Sequence, residues 1–91
     1  MIIDAHTHIF PPAIGEDRDA FLQRDTTFRE LYSNPKARIA TAEELIASMD
    51  EAGIDKSVAC GFGWNDAELC REHSDYLLEA AERSGGRASA P

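Results

Sequence analysis

Ile2-Ile-Asp-Ala-His-Thr-His-Ile-Phe-Pro11 is the stretch on which the fold turns. It is short, rich in apolar and β-compatible residues, and stopped by Pro11-Pro12, which cannot continue a sheet ladder. A strand is expected within residues 1–10. Strand alternation puts Asp4, His6 and His8 on one face and Ile3, Ala5, Thr7 and Ile9 on the other. Residues i and i+2 on a strand project the same way with Cα atoms about 6.5 Å apart, so two imidazoles can converge on one ion. Zinc–nitrogen bonds of about 2.0–2.1 Å are compatible with that spacing. His6 and His8 are therefore the candidate metal ligands, set against the plainer reading that they are polar residues at a strand end.

Downstream, residues 11–40 are polar and irregular, and a connection this long usually has a functional reason, such as a lid over a site. Two short helices are conceivable within it, Asp17 to Arg24 and Thr27 to Tyr32, the second opened by a Thr27-x-x-Glu30 capping box and broken at Asn34-Pro35. Thr41-Ala-Glu-Glu44 is a second capping box, followed by Leu45, Ile46, Met49 and Ala52 at helical spacing, with Gly53 as a left-handed stop and Ile54 behind it. This predicts a helix over 41–53. A second strand is expected over 57–62. A helix over 65–84 follows, capped by Asn65 or Asp66, with Leu69, Cys70, His73, Leu77, Ala80 and Ala81 on its packing face and Gly85-Gly86 ending it.

The order βαβα implies an α/β fold with a parallel sheet. Parallel sheets are covered on both faces and need neighbours, so two strands and two helices suggest one part of something larger. The tail Gly85-Gly-Arg-Ala-Ser-Ala-Pro91 is small and polar and is expected to pack against nothing.

Composition excludes several classes. Nine Lys and Arg against 17 Asp and Glu give a formal charge of −8, and the basic residues are scattered, which argues against nucleic acid or an anionic membrane as partner. No basic leader or long apolar run is present, so a cytoplasmic enzyme is the expectation. Cys60 and Cys70 lack CxxC spacing and read as reduced thiols, Cys60 as an inert one near the strand end and Cys70 as core. His73, on a packing face with no second ligand at i+4, reads as a helix–sheet contact. Asp4 is a candidate second-shell acceptor for a histidine or a buried polar residue. Phe10 and Trp64 follow the two strand ends, where barrel enzymes line their substrate pockets, although either could simply pack.

The segments Ile2 to Pro11, Glu43-Glu-Leu-Ile-Ala-Ser-Met-Asp-Glu-Ala-Gly-Ile54 and Cys70-Arg-Glu-His-Ser-Asp-Tyr-Leu-Leu78 together resemble the amidohydrolase superfamily, in its amidohydrolase-related branch of aminocarboxymuconate-semialdehyde decarboxylase-like hydrolases and decarboxylases. The resemblance spans roughly residues 1–87. It implies the N-terminal part of a (β/α)₈ TIM barrel, with His6 and His8 as metal ligands and the other ligands and acid–base groups on later strands. It further implies a divalent cofactor, Zn²⁺ by default with Mn²⁺ or Fe²⁺ as alternatives, and a small carboxylated or carbonyl-containing substrate. A homo-oligomer stays open. The rival readings are an inactive truncated piece of such a barrel and a small α/β binding domain in which the HxH pair is incidental.

Overall fold

The strand expected at the N-terminus forms as β1 (Ile3–His8) in a computed structural model that describes residues 1–34 and 36–90. It is followed by α1 (Pro12–Glu16), α2 (Arg18–Arg24), α3 (Thr26–Tyr32), α4 (Ala42–Ala52), β2 (Lys56–Cys60), α5 (Ala67–Arg83) and β3 (Ala88–Ser89). The sheet order is β1-β2-β3 and both pairings are parallel. The result is a small α/β domain of three parallel strands and five helices among the described residues.

Local chemistry accounts for the two long helices. Thr41 accepts from the Glu44 backbone N–H while the Glu44 carboxylate accepts from the Thr41 N–H, closing the expected capping box at the start of α4. Gly53 stops the helix with φ 73°, a left-handed conformation that glycine adopts without a Cβ penalty. The Asp66 carboxylate caps α5 by accepting from Glu68 and Leu69 N–H groups. Those bonds and the neighbouring Arg24 hold Asp66 below the usual carboxylate range, against a smaller opposing effect of burial. The buried stripe of α5 is Leu69, His73, Leu77 and Ala80, whereas Cys70, expected in the core, is exposed. One residue past Leu69 is a 100° turn of the helix, which carries Cys70 off a stripe narrower than the periodicity implied.

Residues 11–40 are better ordered than their polarity suggests. Three short helices fill the expected lid-like loop, and α3 starts from Asp25 rather than from the Thr27 capping box. Asp25 is 1% exposed; its carboxylate accepts from Phe28 N–H at 3.0 Å and from Asp66 N–H at 2.8 Å, so one side chain caps α3 and ties it to the start of α5. The Pro35 half of the expected Asn34-Pro35 break lies outside the described residues; α3 ends at Tyr32. Ile14 and Phe28 join Phe10, Trp64 and Leu69 in one apolar cluster, with Phe62 and Tyr32 packed against it. Phe28 stacks on Trp64 with ring centroids 5.1 Å apart. Because Phe10, Phe62 and Trp64 follow the last residues of β1 and β2, this layer sits at the C-terminal end of the strands as a packed cap rather than a loose strap.

The tail is not idle either. Ala88 is fully buried and pairs with Ser57, the Ser57 N–H donates to the Arg87 carbonyl at 2.7 Å, and Arg87 reaches the Asp50 carboxylate at 2.8 Å. Small side chains left no apolar signal, yet they are what fits between β2 and the helices. A second cluster, Ile9, Ala59, Leu77 and Ala80 with Leu45 and Ala42 alongside, seats both long helices on one face of the sheet. Ala59 belongs to that face, so alternation turns Val58 and Cys60 to the other; both are only half-buried and belong to neither cluster.

Candidate metal centre

His8 is the last residue of β1 and pairs with Cys60, the last residue of β2. The expected same-face geometry of the two histidines holds: the His6 and His8 Nε2 atoms lie 3.0 Å apart, with the rings edge-on at an interplanar angle of 79°. This separation is shorter than two metal–nitrogen bonds of about 2.0–2.1 Å laid end to end, so a single ion could bond both nitrogens. The donor set is incomplete. Among the described residues no group of three or more His, Cys, Asp or Glu side chains is arranged to hold a metal.

Asp4 does not share their surroundings. The ladder slips between Asp4 and Thr7, so that Asp4 pairs with Ser57 while His8 pairs with Cys60. Ser57 and Cys60 are three apart on β2 and point to opposite faces, which puts Asp4 and His8 on opposite faces too. The Asp4 carboxylate instead accepts from the His6 backbone N–H at 3.2 Å, bracing the bulge rather than an imidazole. An extra residue in a strand carries no side-chain signature here, and alternation alone could not detect it.

Cys60, read from the sequence as an inert thiol near the strand end, is half-buried and lies beside His6. Its sulfur lies 3.5 Å from His6 Nδ1, on the side of the ring away from His8. The available signal was positional: two parallel strands that end together bring their last residues side by side. His8 Nδ1 is buried without a hydrogen-bond partner among the described residues.

His73, by contrast, is fully engaged. It is 2% exposed, its Nδ1 accepts from the Trp64 indole N–H at 2.9 Å, and its Nε2 sits 2.7 Å from the Ile9 carbonyl. Only the neutral Nε2–H tautomer satisfies both neighbours, since an indole can only donate and a carbonyl can only accept. Burial pushes the His73 pKa down, opposed by the bond to Ile9 and aided by the nearby charge of His8. The helix–sheet contact read from the sequence is thus made through two strong bonds.

Phe10 and Trp64, proposed for a substrate pocket, are 1% and 8% exposed and packed inside the aromatic cluster. Neither borders the two cavities described next. The larger cavity, about 420 Å³, is a groove between α4 and α5 bordered by Ile46, Tyr76 and Arg83; a smaller one of about 320 Å³ lies beside Pro11 and Ile39. Neither His6 nor His8 borders either of these two cavities. Both cysteines are free, and no helix among the described residues is long and apolar enough to cross a membrane. Compared with protein-family models, curated proteins and solved structures, the chain matches none.

Proposed function

We propose that this chain supplies the first two βα units of an amidohydrolase-type (β/α)₈ barrel and serves a metal-dependent hydrolase or decarboxylase acting on a small carboxylated or carbonyl-containing molecule. The observation that carries the reading is the convergence of the His6 and His8 Nε2 atoms to 3.0 Å at the C-terminal end of β1, the end at which barrel enzymes place their chemistry. The asymmetry of the sheet supports it. Helices cover one face, while the face bearing the histidines and Cys60 stays partly open, and in a closed barrel that face would be the interior.

His6 and His8 would hold the ion, Zn²⁺ by default and Mn²⁺ or Fe²⁺ as alternatives. When bound, a divalent ion supplies Lewis acidity to a carbonyl or carboxyl oxygen. The chain's own part is to fix the two rings: Asp4 braces the backbone leading into His6, and the Phe10–Phe28–Trp64 layer packs just beyond the strand ends. No acid–base group for the reaction is assigned to this chain.

The test is zinc content by elemental analysis and affinity by calorimetry on the chain, its His6→Ala and His8→Ala variants and the double variant. One weak site is expected, because two imidazoles are fewer than the three protein ligands of a catalytic shell. Either single substitution should abolish it, and the double should add little. Zinc retained by the double variant would refute the reading and leave the HxH pair incidental to a small α/β binding domain.

A further inference from the structure

We propose that Cys60 is a positioning residue: its sulfur accepts the Nδ1–H of His6, which leaves the Nε2 lone pair of that ring facing His8. Two arrangements of protons fit the distances among Cys60, His6 and His8. In the first, the His6 Nδ1–H donates to Cys60 Sγ, and His6 Nε2 accepts from the His8 Nε2–H. His8 Nδ1 is then a bare lone pair. In the second, the Cys60 S–H donates to His6 Nδ1, the His6 Nε2–H donates to His8 Nε2, and His8 must carry its proton on Nδ1.

His8 Nδ1 decides between them. It is buried and has no partner among the described residues, so the second arrangement strands an N–H beside no described acceptor, whereas the first leaves only an unused acceptor. Buried N–H groups without partners are rarer and costlier than under-used acceptors. The first arrangement therefore holds, and the thiol fixes the tautomer of His6 through the nitrogen that does not face His8. A ligating histidine is ordinarily set in this way by whatever bonds its other nitrogen, usually a carboxylate or carbonyl; a half-buried sulfur does it here. The tautomer follows from the metal-free geometry alone, while its consequence for an ion rests on the function proposed above.

The experiment is a long-range ¹H–¹⁵N correlation on the ¹⁵N-labelled, metal-free chain at about pH 7.5. His6 should be mainly Nδ1–H and His8 mainly Nε2–H. In Cys60→Ala and in the better-filling Cys60→Val, the His6 tautomer ratio should fall about fivefold, the scale of one modest hydrogen bond, and the His8 ratio should move the opposite way. Should either variant lose its dispersed amide spectrum, the other variant and the wild-type tautomers still decide. An Nε2–H His6 in the wild type, or a ratio indifferent to both substitutions, overturns the proposal. A zinc titration of the same samples separates the two readings. A tautomer that responds in a chain that binds no zinc upholds the positioning role and refutes the metal function. Zinc bound with an unchanged tautomer does the reverse.

Discussion

Replacing His73 with Leu should remove the bond that joins α5 to the end of β1 and the bond that joins it to Trp64. The substitution keeps the volume roughly constant but orphans two groups in the interior, the Ile9 carbonyl and the Trp64 indole N–H, because His73 is 2% exposed and water cannot replace it. Each orphan costs about 1–3 kcal/mol, partly offset by the more apolar side chain, so a net loss of roughly 2–4 kcal/mol is expected. A chain of 91 residues at ~0.05–0.15 kcal/mol per residue has about 5–14 kcal/mol in total, so the loss is large on that scale. Urea unfolding would measure it, and a cycle with Trp64→Phe isolates the indole bond. The double variant should be less destabilised than the sum of the singles by about 1 kcal/mol, since the bond can be broken only once. The pH dependence has a definite sign. The folded-state pKa of His73 is lowered, so the unfolded chain binds the proton more readily; its contribution to stability is complete above about 6.5 and declines as the pH falls from there through the folded value. Protonation would also set an Nδ1–H against the Trp64 N–H. The His73→Leu variant should lose this slope. A cost under about 0.5 kcal/mol, or an unchanged slope near pH 6, would refute the account.

Thr41→Ala should destabilise by about 1 kcal/mol in thermal or urea unfolding, because it opens the capping box of α4. Asp25→Ala should cost about 2–3 kcal/mol by the same assays, since it frees the buried Phe28 N–H and the part-buried Asp66 N–H together; a cost no larger than that of Thr41→Ala would mean that the bond to α5 is dispensable. Amide exchange around Phe28 should be protected to a degree comparable with α5, and unprotected amides there would restore a lid for residues 11–40.

The elements that could be read from sequence are those whose signals are local. Helix α4 carries its start at Thr41 and Glu44 and its stop at Gly53, all within one stretch and all observed. Strands β1 and β2 declare themselves by apolar content and punctuation. Helix α3 was harder, because its cap is Asp25, whose second bond goes to a residue 41 positions away. The bulge in β1 and the short strand β3 left no trace, for a related reason: both depend on backbone pairing, and Asp4, Ala88 and Ser89 need no particular side chain to take part in it. The packing roles of Phe10 and Trp64 could not be told from pocket roles, since an aromatic residue past a strand end serves either.

The three histidines show how far residue type alone can go. His6, His8 and His73 are chemically identical in the sequence, and spacing separates the first two from the third only by placing them on one strand face. What distinguishes them physically is how their six ring nitrogens are satisfied. Both nitrogens of His73 are bonded to fixed groups of the fold, one acceptor and one donor, and nothing is left over for a ligand. His6 and His8 spend one nitrogen each on the other; of the remaining two, one meets a sulfur and one meets nothing. A buried nitrogen without a partner is costly in a finished interior. An acceptor set beside His8 Nδ1 would draw the proton there from Nε2 and leave both Nε2 lone pairs free across the 3.0 Å gap. Among the three histidines, the unmet hydrogen-bond capacity therefore lies at His8, beside the proposed metal pair, and not at His73.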